Sequence, residues 1–262
     1  MCEIMLSAFI FDVDGTLADT ERDGHRAAFN QAFVEAGLDW RWDVGLYGEL
    51  LAVTGGKERM RHYLDCYRPD WVQPADLDGL IARLHAAKTR HYTALLAQGG
   101  IPLRPGVARL LAEARAAGVR LAIATTTTPE NVTALLEHAI SPQAVSWFEV
   151  IAAGDVVPAK KPAPDIYQYA LDKLGLGAEA CLAFEDSENG LRSARAAGLC
   201  TVVTVNAYTR EQDFTGAVLV LDQLGEARQP FRVLAEAMPL NGERLFDLAF
   251  ARRLAAGGAC RP

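Results

Sequence analysis

The sequence predicts an α/β fold: a parallel sheet covered on both faces, with a helical cap inserted into it. Three observations in its 262 residues carry that prediction. Short apolar runs alternate with segments of helical periodicity. Glycine follows three of those helical segments, where a helix C-terminus favours it. One long stretch after the first apolar run carries no strand signal.

In order, Ala8–Phe11 reads as a buried strand that ends in acids. From about Thr20 to Gln98 only helical periodicity is present, with helices over Arg26–Ala36, Leu46–Ala52, Glu58–Tyr67 and Asp76–Leu96. An insert after the first strand would lie over the carboxyl ends of the strands, where such sheets bind ligands. Alternation then resumes. The helices are Val107–Ala117, Pro129–His138, Asp165–Leu174 and Asn189–Ala197, and Gly118, Gly175 and Gly198 close three of them. The strands are Val119–Ala124, Phe148–Ala152, Cys181–Phe184 and Thr201–Val205. Residues 1–19 and 99–225 are expected to form the α/β core domain and 20–98 the cap domain. The extension 226–262 receives no role from its sequence.

A formal net charge of −7 argues against a general nucleic-acid binder, which would carry a basic stripe. No apolar run approaches the roughly 20 residues of a membrane helix. Ile4–Phe11 is interrupted by Ser7 and ends in Asp12, unlike a signal peptide. Five scattered cysteines without Cys-x-x-Cys spacing fit reduced thiols. The expectation is a cytoplasmic monomer with no nucleic-acid or membrane partner.

Asp12-Val-Asp14-Gly15-Thr16 directly follows the first strand. Side chains two apart on an extended chain share one side, and Gly15 permits a turn. Turn capping by Asp-Gly is the plain alternative. Glu185-Asp186-Ser187 follows the fourth strand and would emerge at the same sheet edge. Four carboxylates there repel one another unless a cation sits between them. All-oxygen ligation suits a hard ion, and Mg²⁺ is the usual one where phosphate is also present. Helix capping by Asp186 or Ser187 is compatible with that reading. Thr125–Thr128 begin a helix after the second strand, where amides and hydroxyls favour an anion, although threonine also suits strand ends and caps. Lys161 precedes Pro162-Ala163-Pro164, and the fixed proline backbone allows it to be held pointing into the site, while Lys160 reads as an ordinary surface lysine. In the insert, Thr54-Gly55-Gly56-Lys57-Glu58-Arg59 places two cations in the first turn of a helix, where the dipole disfavours them. His85 and Lys88, spaced i, i+3, face the same way, and on the residues alone a solvated polar face is the preferred explanation.

This order of motifs resembles the haloacid dehalogenase superfamily, and the insert resembles that superfamily's cap. The closer similarity is to the CbbY-type xylulose-1,5-bisphosphate phosphatases, related to the β-phosphoglucomutases. It is carried by Phe9-Ile-Phe-Asp-Val-Asp-Gly-Thr-Leu-Ala18, Thr54-Gly-Gly-Lys-Glu-Arg59, His85-Ala-Ala-Lys88, Ala124-Thr-Thr-Thr127, Asn131, Ile151-Ala-Ala-Gly-Asp155 and Glu185-Asp-Ser187. The resemblance implies Mg²⁺-dependent hydrolysis of a sugar phosphate in two steps. Asp12 would attack phosphorus and form an aspartyl-phosphate. Asp14 would protonate the leaving alkoxide and then activate water. Asp12, the Asp14 carbonyl and Asp186 would hold the metal, with Glu185 either a second acidic contributor or an outer-shell group, and Thr125 and Lys161 would hold phosphoryl oxygens. Glu21 would contact substrate hydroxyls, and Thr126, Thr127 and Asn131 would line the substrate site. Lys57, Arg59, His85 and Lys88, beside Gly55, Gly56 and Glu58, would clamp a second phosphate.

An aspartate at position 14 favours phosphate esters over dehalogenase or phosphonatase chemistry within the superfamily. A phosphosugar mutase and a catalytically silent phosphosugar-binding regulator stay open, although intact Asp12, Asp14, Thr125, Lys161 and Asp186 count against the second. Two departures from the family pattern stand out: one extra residue after Glu21 (Arg22-Asp-Gly-His25) and the long tail from about Glu226.

Overall fold

In the computed structural model, which describes residues 6–236, 239–240 and 242–256, β1 (Ala8–Phe11) runs through the middle of the sheet. Its alternate residues go to opposite faces, as an extended chain requires. Phe9 and Phe11 enter one apolar layer with Leu121, Ile123, Leu182 and Phe184. Ala8 and Ile10 enter the other with Ala122, Ala124 and Ala183. The first layer is aromatic, with Phe11 stacked on Phe184 at 4.4 Å between ring centres. The second is lined by small side chains, which leaves room for the bulkier residues of the covering helices.

β2 (Arg120–Thr125) and β4 (Cys181–Glu185) flank β1 in parallel, so that Phe11 is level with Ile123 on one side and Phe184 on the other. β3 (Val150–Ala153) lies beyond β2; β5 (Cys200–Thr204), β6 (Leu219–Leu221) and β7 (Val233–Glu236) lie beyond β4. Only β7 runs antiparallel to its neighbour among these described strands. Successive strands are added first on one side of β1 and then on the other. The crevice at the carboxyl ends therefore opens between β1 and β4, beside Asp12 and Glu185.

Between β1 and β2 the chain forms α1 (Arg26–Glu35), α2 (Val44–Leu50), α3 (Gly56–Tyr67) and α4 (Leu77–Ala97). Asp43 and Asp76 cap α2 and α4 by accepting from Leu46 N and Gly79 N, each at 2.9 Å. Phe29, Phe33, Trp40, Trp42, Tyr47 and Tyr63 pack into an aromatic cluster that these helices share. The far end of α4 delivers Tyr92 and Leu96 to the sheet-side layer instead, which ties the insert to the core. The two connecting segments pair where Ala18 meets Leu103, and Arg104 N donates to Leu17 O at 2.8 Å. Glu21–His25, where the family resemblance implies an extra residue, forms a π-helical turn that runs into α1. A Cβ at Gly24 within that turn would meet the tip of the Ile101 side chain at 2.6 Å.

The remaining helices are α5 (Val107–Ala116), α6 (Pro129–Ala139), α7 (Asp165–Leu174), α8 (Glu188–Ala196) and α9 (Leu248–Ala256). Gly118, Gly175 and Gly198 take positive φ after α5, α7 and α8, the left-handed turn expected of them. The tail is part of the fold. Phe246 and Phe250 enter the aromatic layer, Phe246 standing edge-on to Phe184 at 5.5 Å, and Phe246 N donates to Leu224 O at 2.8 Å. Among the described residues Cys66 and Cys181 are free thiols. Among the described residues no helix is long and apolar enough to cross a membrane.

Candidate active site

β1 and β4 end side by side, so the residues that follow them meet. Asp12, Glu185 and Asp186 are all buried and each offers an oxygen within 4.8 Å of the others. Lys161 Nζ donates to Asp12 Oδ1 at 2.7 Å and to Glu185 Oε1 at 2.6 Å. Asn206 Nδ2 donates to Asp186 Oδ2 at 2.6 Å. Burial pushes Asp12 up to about 8, with Lys161 opposing it and Glu185 adding to it. Burial, then the charges of Asp12 and Glu185, push Asp186 well up too. One ammonium does not neutralise three carboxylates. Gly15, at φ +86°, lets the loop pass so close that a Cβ would lie 2.2 Å from Asp186 Oδ2. Three converging hard oxygen donors in an under-neutralised pocket fit a divalent cation such as Mg²⁺.

Asp14 behaves differently. Its Oδ1 accepts from Thr20 Oγ1 at 2.6 Å and from His25 Nε2 at 2.8 Å. Burial acts to raise this carboxyl, but His25, the two hydrogen bonds and Lys88 outweigh it and hold the group well below the usual carboxylate range. Two neighbouring aspartates thus have opposed proton affinities.

Asp12, Asp14, Thr125, Thr126, Lys161 and Asp186 line a cavity of about 90 Å³, whose upper wall is Glu21 and Arg59 of the insert. A second chamber, about 40 Å³, lies against Gly55, Gly56, Arg59, His85, Lys88 and Thr126–Thr128. Lys88 is buried, with its ammonium 5.2 Å from the ring centres of both Phe29 and Tyr92. Burial pulls it down to about 8, although Asp14 and Glu21 act the other way. Burial, then Lys88 and Lys57, pull His85 down to about 4, so this ring is neutral at pH 7. Arg59 donates to Leu50 O, Val53 O and the Tyr47 hydroxyl, which itself donates to Glu21 Oε2 at 2.5 Å. Thr127 Oγ1 accepts from Asn131 Nδ2 at 3.0 Å, leaving Asn131 Oδ1 buried and unpartnered.

Lys57 departs from the expected grouping. Its ammonium reaches out of the insert to Asp155 Oδ2 at 2.8 Å, while Lys160 takes Asp155 Oδ1 at 2.6 Å. The Asp155 carboxylate, presented by the loop after β3, attracts it away from the second chamber. Glu58 also stays outside, 4.0 Å from Lys160. Of the four side chains expected to act together, Arg59, His85 and Lys88 stand at the chamber and Lys57 at the junction of insert and core.

Thr20, His25, Asn206, Tyr167 and Arg104 are absent from the sequence-based list. Tyr167 on α7 donates to Glu185 Oε1 at 2.5 Å. Arg104 is buried and donates to the carbonyls of Gly15, Thr204, Val205 and Asp222, stitching the Asp14 loop to the ends of β5 and β6. The one available signal for His25 is its position in the helix that follows Asp14. Thr20 is only six residues from Asp14 but reads as an ordinary threonine, and the other three take their meaning from partners remote in sequence.

Residues 6–198 match the family model of haloacid dehalogenase-like hydrolases. The chain is 50% identical over 247 residues to the plasmid-encoded protein CbbY of Cupriavidus necator, covering 94% of this chain and 96% of that protein. It superposes, at a TM-score of 0.78 and 50% identity, on a mutant CbbY from Rhodobacter sphaeroides crystallised in complex with xylulose 1,5-bisphosphate; the match covers 84% of this chain and 95% of that one. A β-phosphoglucomutase from Clostridium difficile shares the fold at 21% identity and a TM-score of 0.67, over 84% of this chain and 92% of its own.

Proposed function

Because the chain belongs to the haloacid dehalogenase-like hydrolases, we propose that it is a Mg²⁺-dependent phosphatase of sugar bisphosphates, with xylulose 1,5-bisphosphate as its preferred substrate. The observation that carries the bisphosphate reading is Lys88. Its buried ammonium has no hydrogen-bond acceptor among the described residues and faces a chamber separate from Asp12. Asp14 and Glu21 offset part of its charge without hydrogen bonding to it, and a second phosphate would supply the direct acceptor that a buried ammonium needs. Arg59 and neutral His85 add donors there.

The reacting phosphate would sit in the first cavity, with Thr125 and Lys161 on its oxygens and Asp12 in line with phosphorus. Asp12, Asp186 and the Asp14 carbonyl would hold the cation, which when bound lowers the charge on carboxylates and phosphoryl oxygens alike. Thr20 and His25 occupy Asp14 Oδ1, so Oδ2 is free to serve the leaving oxygen. The incoming phosphate's negative charge raises the Asp14 proton affinity, which suits it to give a proton in the first step and take one from water in the second. Asn189 Nδ2 on α8 donates to Ala52 O and Thr54 Oγ1 of the insert at 3.2 and 3.3 Å, contacts that keep the lid down over the reaction.

The test is kcat/KM for xylulose 1,5-bisphosphate, ribulose 1,5-bisphosphate, β-glucose 1-phosphate and an aryl phosphate, with and without Mg²⁺. Phosphate release should need Mg²⁺ and nearly vanish in Asp12→Asn. Lys88→Met should cost the bisphosphates about 2–5 kcal/mol of transition-state stabilisation and scarcely touch the aryl phosphate. Conversion of β-glucose 1-phosphate to glucose 6-phosphate would replace this reading with a mutase, and binding without turnover would replace it with a regulator.

A further inference from the structure

Tyr167 is fully buried under the floor of the reaction chamber. Its hydroxyl and the Lys161 ammonium both donate to one oxygen, Glu185 Oε1, at 2.5 and 2.6 Å. Lys161 Nζ also stands 5.1 Å from the centre of the Tyr167 ring, and its next donor goes to Asp12 Oδ1. An ammonium has three donors, so one is left for a phosphoryl oxygen. Glu185 is held from the opposite side as well. A Cβ at Gly190 would lie 1.9 Å from Glu185 Oε2, so the carboxylate is seated directly against the backbone of α8. With one oxygen against α8 and the other fixed by a phenol, Glu185 has no freedom to turn, and it dictates where Lys161 can be. The apolar layer beside β2 and β4 needs the aromatic ring of residue 167 for packing; nothing in that layer needs its hydroxyl.

We propose that Tyr167 is a positioning residue, whose hydroxyl fixes Glu185 Oε1 and through it aims the Lys161 ammonium at the transferring phosphoryl group. The proposal rests on the phosphatase reading, which supplies that group.

Tyr167→Phe removes a single oxygen and keeps the ring, so its melting temperature serves as the folding control. Inorganic phosphate is titrated calorimetrically, in Mg²⁺, into wild type, Tyr167→Phe, Lys161→Ala and the double variant. The kcat and KM of the same four proteins are measured with xylulose 1,5-bisphosphate and an aryl phosphate. A hydrogen bond to a charged group predicts that Tyr167→Phe weakens phosphate binding and lowers kcat by about tenfold each, with KM changed far less. Because the effect passes through Lys161, Tyr167→Phe should change either quantity by less than about twofold in the Lys161→Ala background. A tenfold loss that persists without Lys161, an unchanged phosphate affinity in Tyr167→Phe, or wild type that fails to bind phosphate would each overturn the proposal. If wild type hydrolyses no sugar phosphate, the proposed function falls, while the four phosphate affinities still decide for or against Tyr167.

Discussion

Asp14 and Asp12 sit two residues apart, yet burial dominates at one and is overruled at the other. Burial lifts Asp12 to about 8. At Asp14 the same burial is outweighed by His25, Thr20 and Lys88. Under the proposed function, a bound cation would ionise Asp12 and an incoming phosphate would raise the proton affinity of Asp14, moving each away from its value in the empty site. Asp14→Ala should retain Mg²⁺ and phosphate binding and lose about 10²–10⁴ in kcat on sugar phosphates. The loss should be smallest for aryl phosphates, whose leaving groups need little protonation, and equal losses on both substrates would refute the acid role. Asp12, Asp14 and Asp186 are legible in the sequence because acids at the ends of apolar strands have no packing role, and Lys161 because the prolines after it fix the backbone that carries it. Thr20, His25, Tyr167 and Asn206 are not legible. A threonine, a helical histidine, an aromatic at helical spacing and a loop asparagine are ordinary until the fold sets each beside a carboxylate.

The elements that join insert to core carry the next consequence. Asp155, after β3, is held down at about 2, by its hydrogen bonds from Lys160 and from Lys57 on α3. Its folded value lies below the ordinary 3.8, so the pairing stabilises the closed arrangement above that pH and is lost as pH falls through about 2. Both partners are substantially exposed, so the contribution is small and salt-sensitive. Carboxyl NMR titration of Lys57→Met should find Asp155 shifted upward relative to wild type; an unchanged titration would remove Lys57 from this contact. The sequence shows the helices of the insert, its turn glycines and five strands of the sheet, since each repeats an apolar period over enough residues. β6 and β7 escape it: β6 is only three residues long, and β7, as short as β1, is mostly exposed and lacks the buried apolar run that marks β1. The direction taken by Lys57 also escapes, because it depends on a loop about a hundred residues further along the chain.

For the whole molecule, the tail is a stability element. Phe246 is fully buried between Phe184 and Phe250, and Arg109 of α5 donates to its carbonyl at 3.2 Å. Phe246→Ala should cost about 3–5 kcal/mol of unfolding free energy, read as an earlier denaturant midpoint, with kcat/KM of the folded fraction unchanged. A comparable fall in kcat/KM would tie the tail to the site. The central place of β1 has a further consequence, for the order in which the chain acquires structure on the ribosome. Ala8 finds its sheet partners only at Arg120 and Cys181, so the first strand made waits through the whole insert before either neighbour exists. Phe9, Ile10 and Phe11 must wait, apolar and unpaired, while the aromatic helices of the insert close on contacts near at hand. Nascent chains halted before Val119 should therefore protect Trp42 and Tyr63 from proteolysis while leaving β1 open to chaperones.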